Sequence, residues 1–326
     1  MKFKSLFFDR LVNAAPDFLS GADFADSVGI SRAAVWKIVH ALESDGFIIE
    51  AVPSKGYRLS PENSQIADVL IKKYLNSHDL GNNIIVLDEV SSTNTYAKEL
   101  ASKNAAHGTL VVAKKQSGGK GRLGRRFESP PGCGLYMSFI IRPDFDLSFA
   151  PLITSAAAVA AAEAVETLSG HDVQIKWVND LYMNDKKICG ILTEASLDLE
   201  MKNLDYAVVG IGIDVLHHDF GEELNQRVTS IETETGKKID RNRLCAEVLN
   251  RFDFYLQNIE NRSHLEAYRE RELLTGHRIS ANVGSESYVG TALDIDKNAN
   301  LIIKLDDGTL KTLSSGEANM CRKAEK

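Results

Sequence analysis

The sequence predicts an α+β multidomain protein: an N-terminal winged helix-turn-helix, a central mixed α/β domain and a small C-terminal β-barrel or sandwich. Three observations predict it. The chain has 326 residues, more than one domain usually holds. Strand-like and helical runs alternate from 84 to about 270. Over 277–322 the texture changes to short strands joined by NVGSES, DKNAN and DDG turns. The expected domains are 1–62, 63–274 and 275–326.

In the first domain, 22–28 and 31–44 are helical patterns split by Gly29, with Ser31 as N-cap of the second. Val35, Ile38, Val39 and Leu42 recur at helical spacing and form that helix's core face. FIIEAVPSKGYRLS then supplies two β-prone runs around PSKG, which completes a winged helix-turn-helix. SPENSQ at 60–65 marks the boundary, and 66–80 reads as a linker helix. The central domain carries strand runs in IIVLDEV, GTLVVAKKQ, GLYMSFIIRP, VQIKWV, KICGILTEAS and YAVVGIGIDV, with helices over 93–102, 150–168 and 241–260. HRISANV, SYVGTALDID, NLIIKLD and GTLKTLSS are the strands of the third.

The composition, 44% hydrophobic and 25% charged with 23 Gly and 7 Pro, excludes disorder and collagen-like repeats. Net charge is −7, which argues against a uniformly basic polyanion binder. Asp9 and Arg10 interrupt the first apolar stretch, so a signal peptide is not expected. The longest uncharged run, 147–162, has 16 residues and is mostly Ala; a membrane span needs about 20, so a buried helix is expected. Cys133, Cys189, Cys245 and Cys321 form no CxxC pair, so we expect reduced, non-ligand thiols in a cytoplasmic protein.

Four segments carry chemistry. Residues 114–126, KKQSGGKGRLGRR, hold six basic residues and no acid, so the remaining 313 residues sum to −13. Gly118, Gly119, Gly121 and Gly124 let backbone N–H groups converge on an anion, and Arg122 and Arg125 offer planar forks for phosphate or carboxylate. A plain exposed basic loop fits the charge; the glycine spacing favours an anion cradle that orders around its ligand. In KWVNDLYMNDKK, Asn179 and Asp180 are placed at a turn before a strand opened by Lys186 and Lys187. Asp180 could hold a metal through oxygen and Lys187 could neutralise a phosphate, while hairpin chemistry with a solvated Lys fits equally. Gly210 and Gly212 inside an apolar strand mark close approach, by a ligand or by another backbone. SSTN at 91–94 is an ordinary N-cap or a polar binding element.

Taken together these segments resemble the biotin protein ligase family in its bifunctional ligase–repressor form. The resemblance rests on GKGRLGR at 119–125, STN at 92–94, Gln116, KWxND at 176–180, KxxGILxE from Lys187 to Glu194, and GxGI at 210–213. The N-terminal SRAAVWK helix, the VPSKGYRL wing and the GEANM close extend it over nearly the whole chain. It implies a central domain of the class II synthetase/biotin-ligase type and a C-terminal SH3-like barrel. It also implies MgATP-dependent activation of biotin to biotinyl-5′-AMP and transfer to a lysine of a biotin carboxyl carrier protein. Ser92, Thr93, Asn94 and Gln116 would hydrogen-bond the ureido or carboxylate end of biotin. Lys120, Gly121 and Arg122 would close over biotin and the phosphates, and Lys187 would contact the biotin carboxylate and α-phosphate. Lys187, Arg122 and Lys120 are the implied catalytic cations. Gly119, Gly124, Arg125, Phe127, Asn179, Gly210 and Gly212 would line the nucleotide, and Asp180 would lie near Mg2+.

The chain departs from the family pattern at four places: Lys120 for Arg, Val178 for Pro, Asp214 for Asn, and Phe127 for Trp. A carboxylate at 214 would repel phosphates unless a metal intervenes. The first 60 residues contain seven basic and seven acidic residues, so DNA recognition would rest on Ser31, Arg32, Lys37, Lys55 and Arg58 and on dimerisation. The resemblance implies operator binding by a homodimer with biotinyl-AMP as corepressor. The alternatives are a biotin-sensing transcription factor with little catalysis, a ligase with an idle N-terminal domain, and a lipoate or octanoate transferase of related fold.

Overall fold

The computed structural model describes residues 2–198 and 203–321; the last five residues of the expected third domain lie outside them. The chain divides into two compact units, Met1–Leu75 with Asp240–Arg243, and Asn76–Ile239 with Leu244–Lys326.

The first unit holds α1 (Lys2–Ala14), α2 (Gly21–Val28), α3 (Arg32–Ser44), the hairpin β1 (Ile49–Val52) and β2 (Gly56–Leu59), and α4 (Asp68–Lys72). Ser20 caps α2 and Ser31 caps α3, each side chain accepting the N–H three residues on, and Gly29 ends α2 at φ 70°. Val35, Val39 and Leu42 are buried as their spacing requires, against Phe7, Leu11 and Phe24. The expected helix over 66–80 shrinks to the five residues of α4. Helix α1, which the opening segment's scattered charges obscured, supplies Phe7 and Phe8 to the core.

The second unit is built on a seven-stranded sheet in the order β3-β4-β5-β9-β8-β7-β6. Its members are β3 (Ile84–Leu87), β4 (Leu110–Ala113), β5 (Gly134–Ile141), β6 (Gln174–Lys176), β7 (Asp180–Met183), β8 (Lys186–Asp198) and β9 (Asn203–Asp214). Only β3 and β4 pair in parallel; the other neighbours are antiparallel. Helix α5 (Thr93–Ser102) starts where Ser92 caps it. Helix α6 (Leu152–Ser169) is long and apolar enough on composition for a membrane span, yet 13 of its 18 residues are buried here, alanines prominent among them. Small side chains on every face suit a helix enclosed on all sides. The short α7 (Glu222–Asn225) and α8 (Ile231–Thr235) follow, then α9 (Arg241–Gln257) and α10 (His264–Arg271). The last part of the unit is a five-stranded antiparallel sheet, β13-β12-β11-β10-β14, the strand set of an SH3-like barrel. It comprises β10 (Arg278–Val283), β11 (Glu286–Ile295), β12 (Leu301–Leu305), β13 (Leu310–Leu313) and β14 (Glu317–Met320). The four cysteines form no disulfide.

Two local expectations are corrected. Asp180 is not in the turn but opens β7, pairing with Gly190 of β8. The alternation of DLYM was masked by the Asn-Asp pairs on either side. GEANM, expected only as a terminal close, forms β14 beside β10.

Candidate active site

A single cleft gathers nearly every site residue that the sequence proposed in the second unit. Its lining includes Ser92, Thr93, Asn94, Gln116, Lys120, Gly121, Arg122, Arg125, Phe127, Asn179, Asp180, Lys187, Gly210 and Gly212. Gly119 lies beneath the cleft loop, where an added Cβ would meet the Phe127 carbonyl; Gly124 turns the loop tip at φ 74°.

The loop forms a small hairpin. Gly121 N–H donates to the Arg125 carbonyl (2.8 Å), Phe127 N–H donates to the Gly119 carbonyl (2.9 Å), and Lys120 faces Arg126 across it. Each of its arginines has a protein partner. Arg122 donates to Asn179 Oδ1 (3.0 Å) and to the Gly316 carbonyl (3.0 Å). Arg125 makes a two-pronged pair with Glu317 at 2.9 and 2.5 Å. Lys120 is exposed at the rim, and Leu123 at the tip is 75% exposed.

Beneath the loop the sheet floor is flat. A Cβ at Gly212 would stand 2.6 Å from the Phe127 ring, and one at Gly190 would stand 3.2 Å from Lys187 Nζ. Gly212 leaves room for the Phe127 ring to cross the strand, so the close approach there is by a side chain rather than by the backbone or ligand that the sequence suggested; at Gly190 the contact is with the flexible end of Lys187. The Phe127 ring meets Tyr136 edge-on at 6.4 Å.

One end of the cleft is charged. Lys187 Nζ lies 2.8 Å from Asp180 Oδ1, both half-buried. Lys176 is half-buried beside them and donates to Asn319 Oδ1 (2.6 Å); burial pulls its pKa below the ordinary lysine value against the attraction of Asp180 and Glu317. Burial and the same two carboxylates push the Tyr182 phenol up to about 12. Asp214 is 5% exposed, and its burial raises its pKa well above the usual carboxylate value despite nearby Lys187. Burial thus disfavours the charged form at this position, which moderates the expected repulsion of phosphates. Among the described residues no group of three His, Cys, Asp or Glu side chains could hold a metal. An ion arriving on a nucleotide's phosphates needs only one or two carboxylates, and Asp180 meets that requirement.

The other end is neutral. Ser92 Oγ accepts the Thr95 N–H, the N-cap role, while Thr93 N–H donates to Gln116 Oε1 (2.8 Å). Asn94 Nδ2 donates to the Leu192 carbonyl (3.1 Å) and to Glu194 (3.0 Å). Glu194 is ion-paired with Lys98 at 2.5 Å. Burial opposes its charge, but hydrogen bonds from Lys98 and Asn94, with the Lys98 and Lys120 charges, hold its carboxyl below the usual range.

Sequence reasoning missed Lys176, Glu317, Ser138 and Lys98. Lys176 stood in the KWxND motif and Glu317 in GEANM; no local pattern marks Ser138 or Lys98.

In the first unit Arg32, Lys37 and Lys55 are exposed. Ser31 spends its side chain on capping. Arg58 pairs with Glu50 at 2.5 Å and lies 4.6 Å from the Phe18 ring centre, so it braces the wing. Trp36, missed earlier, is 57% exposed on the outer face of α3.

Comparison with known proteins accords with this geometry. A model of the biotin/lipoate A/B protein ligase family matches residues 86–214, an HTH domain matches 7–58, and a biotin protein ligase C-terminal domain matches 275–320. The chain is 36% identical over 307 residues to the bifunctional ligase/repressor BirA of Bacillus spizizenii, covering 93% of this chain and 94% of the relative. It is 31% identical over 316 residues to BirA of Escherichia coli, covering 95% of each. A biotin protein ligase from Aquifex aeolicus, solved with biotin and ATP, matches 74% of this chain and all of its own at 32% identity and TM-score 0.62.

Proposed function

Because the chain belongs to the bifunctional biotin ligase/repressor family, we propose that it activates biotin with MgATP, loads it onto a lysine of a biotin carboxyl carrier protein, and represses transcription from operator DNA. One observation carries the ligase half: the glycine-rich loop, Lys187 and the Thr93–Gln116 wall line one cleft.

The first step joins two anions. The biotin carboxylate attacks the α-phosphorus, a P–O bond forms, and pyrophosphate leaves. Lys187, Arg122 and Lys120 are the cations that offset the repulsion and the charge gathered in the transition state. Lys187 would exchange its partner Asp180 for substrate oxygens, and Asp180 would then be the carboxylate available to hold Mg2+, which would neutralise phosphate charge. In the second step the carrier lysine's neutral amine attacks the anhydride carbonyl and AMP leaves. Neither step needs a covalent enzyme intermediate. Ser92, Thr93, Asn94, Gln116 and Gly121 hold biotin; Gly119, Gly124, Arg125, Phe127, Asn179, Gly210 and Gly212 border the nucleotide. The loop, closed over the intermediate, keeps water from the anhydride.

Residues 1–62 are proposed as the operator-binding domain, 63–274 as the catalytic domain and 275–326 as the third. Exposed Arg32 and Lys37 on α3 and Lys55 on the wing would contact DNA, with Ser31 setting the helix start and Arg58 bracing the wing. With near-neutral charge the domain depends on pairing, so biotinyl-AMP as corepressor would act through a homodimer. The setting is cytoplasmic.

Biotin-dependent exchange between ATP and pyrophosphate tests the ligase half: we expect exchange with biotin and none with lipoate, and absence of exchange with biotin defeats it. Mobility shift of the chain's own promoter DNA tests repression. A biotin-loaded chain that causes no shift overturns it.

A further inference from the structure

The outer face of α3 carries a large apolar side chain that the fold does not use. Val35, Val39 and Leu42 are buried, so Arg32, Ala33, Trp36, Lys37, His40 and Glu43 form the exposed face of the helix. Trp36, at its centre, is 57% exposed. The indole is nevertheless held in place. It stands edge-on to the His40 ring at 3.9 Å, and His40 Nδ1 lies 2.7 Å from Glu43 Oε2. A fixed aromatic surface loses little freedom when something covers it. The charges around it indicate what that is. Among the described residues Arg32, Lys37 and Lys55 make no ion pair, whereas Glu43, Asp45 and Glu50 already have partners in His40, Lys4 and Arg58. Uncommitted cations beside committed carboxylates suit a polyanion. Between α3 and the wing lies a groove of about 470 Å³, lined by Arg32 from α3 and Lys55 from the wing. A phosphate backbone seated there would meet both cations. Trp36, one turn or about 6 Å beyond Arg32 on the same face, would then face the bases.

We propose that Trp36 is a specificity-determining residue of the first unit and that its indole reads thymine, through the C5-methyl group in the major groove. The inference rests on the operator-binding reading and adds which feature of the bases the helix recognises. Base edges are read by hydrogen bonds, chiefly from Arg, Lys, Asn, Gln, Asp or Glu, or by apolar contact with the thymine methyl. The middle of the exposed face is poor in side chains of the first kind. Arg32 is at its start, beside the groove, and Glu43 is at its far end, against His40. Lys37 is a flexible point charge that meets a phosphate as readily as a base. What remains is apolar: the Trp36 indole and, three residues back on the same face, the Ala33 methyl. The major groove offers one apolar feature to match them, and only A·T pairs carry it. A domain of near-neutral charge thereby gains discrimination from buried aromatic area.

The test uses the full chain with biotin and MgATP, and the duplex it binds most tightly in a selection from random sequence. Each thymine of that duplex is replaced in turn by deoxyuracil, which lacks only the methyl group. For the wild-type chain we expect a sensitive thymine in each half-site, with Kd rising about fourfold per methyl removed, the value of burying one such group. For Trp36→Ala we expect affinity for the selected duplex to fall about thirtyfold, the loss of an aromatic anchor, and the deoxyuracil penalty to vanish. Its binding to an unselected duplex should stay within about twofold with the salt dependence unchanged, since no cation is lost; this also shows that the variant is folded. Trp36→Phe should keep part of the penalty. Lys37→Ala should do the reverse, weakening both duplexes alike and flattening the salt dependence. The proposal is overturned if deoxyuracil costs the wild-type chain nothing at any position, if the penalty persists in Trp36→Ala, or if that variant loses selected and unselected duplexes alike. It is overturned too if Trp36→Ala keeps its discrimination but separates a dimer in sedimentation, which would put a second copy of the chain against the indole. A wild-type chain that prefers no duplex over random sequence defeats the operator reading, and this inference with it.

Discussion

The two ends of the cleft are built on opposite principles. At the Thr93 end the groups that line the cleft are neutral and bonded to protein partners; Ser92, Thr93 and Asn94 are 2–4% exposed, and the charged Glu194–Lys98 pair stands behind them. At the Lys187 end the groups are charged and held in ion pairs that a substrate can replace, half-buried Lys187 with Asp180 and exposed Arg125 with Glu317. A locked neutral network discriminates, because leaving one of its members unpaired is costly. An exchangeable cation set does chemistry, because its partners give way when phosphate arrives. Specificity and rate are thus separable by mutation.

The largest break in that comparison should come from Lys187→Ala. We expect initial exchange rates at saturating substrates to fall by about 10²–10³, the usual loss when one preorganised charge-stabilising group is removed. Thermal stability should move far less, because the Lys187–Asp180 pair is partly solvated and such pairs contribute little. Equal loss of activity and stability would show that the lysine is structural.

At the neutral end the next largest effect is expected from Gly210→Ala. The new Cβ would fall on Asn94 Oδ1, the atom that takes the Ser138 proton. Overpacking of this kind costs about 1–3 kcal/mol. Displacing the amide should raise the KM for biotin about tenfold while the maximal rate changes little. A fall in maximal rate with unchanged KM would show that the two ends are not separable.

A smaller effect, on the loop alone, is expected from Arg125→Ala. Arg125 is 65% exposed on its side chain, so the loss of its pair with Glu317 should cost under about 1 kcal/mol in denaturant melts. Cleavage by protease within 117–126 should nevertheless quicken, since this pair ties the loop to β14. Unchanged cleavage would mean that the Arg122 bonds to Asn179 and Gly316 hold the loop alone.

The same contrast explains what could be read in the sequence. Helix α5 was legible to its bounds because Ser92 caps it locally, and the loop was legible because its charges and glycines lie within thirteen residues. Strands β8 and β9 showed as apolar runs. Strand β7 did not, because only Leu181, Tyr182 and Met183 lie between two Asn-Asp pairs and Asp180 belongs to the first of them. Helix α10, HLEAYRER, is too polar for periodicity to mark, though His264, Leu265 and Tyr268 are buried. The residues behind the cleft were illegible for a different reason. Ser138 meets Asn94 across 44 positions, Lys98 meets Glu194 across 96, and Arg125 meets Glu317 across 192. No local pattern announces a partner so far away, whereas the motif residues carry their chemistry in their neighbours.

Asp214 tests where the boundary between the two ends falls. It is buried like the neutral wall, yet it sits within the field of Lys187. An ionised Asp214 would belong to the charged end and repel phosphate; a protonated one belongs to the neutral set. Burial raises its folded pKa well above the ordinary 3.8, so the folded chain binds a proton there that the unfolded chain has released. Its contribution is therefore neutral below about pH 4 and increasingly destabilising as pH rises toward the folded pKa. Asp214→Asn removes the titration and keeps the shape. We expect the variant to gain stability relative to wild type as pH rises from 4.5 to 8 in urea melts, with exchange near its wild-type rate. A stability difference that stays flat over that range would mean that Asp214 is ionised throughout it, and the neutral set would then end at Gly212.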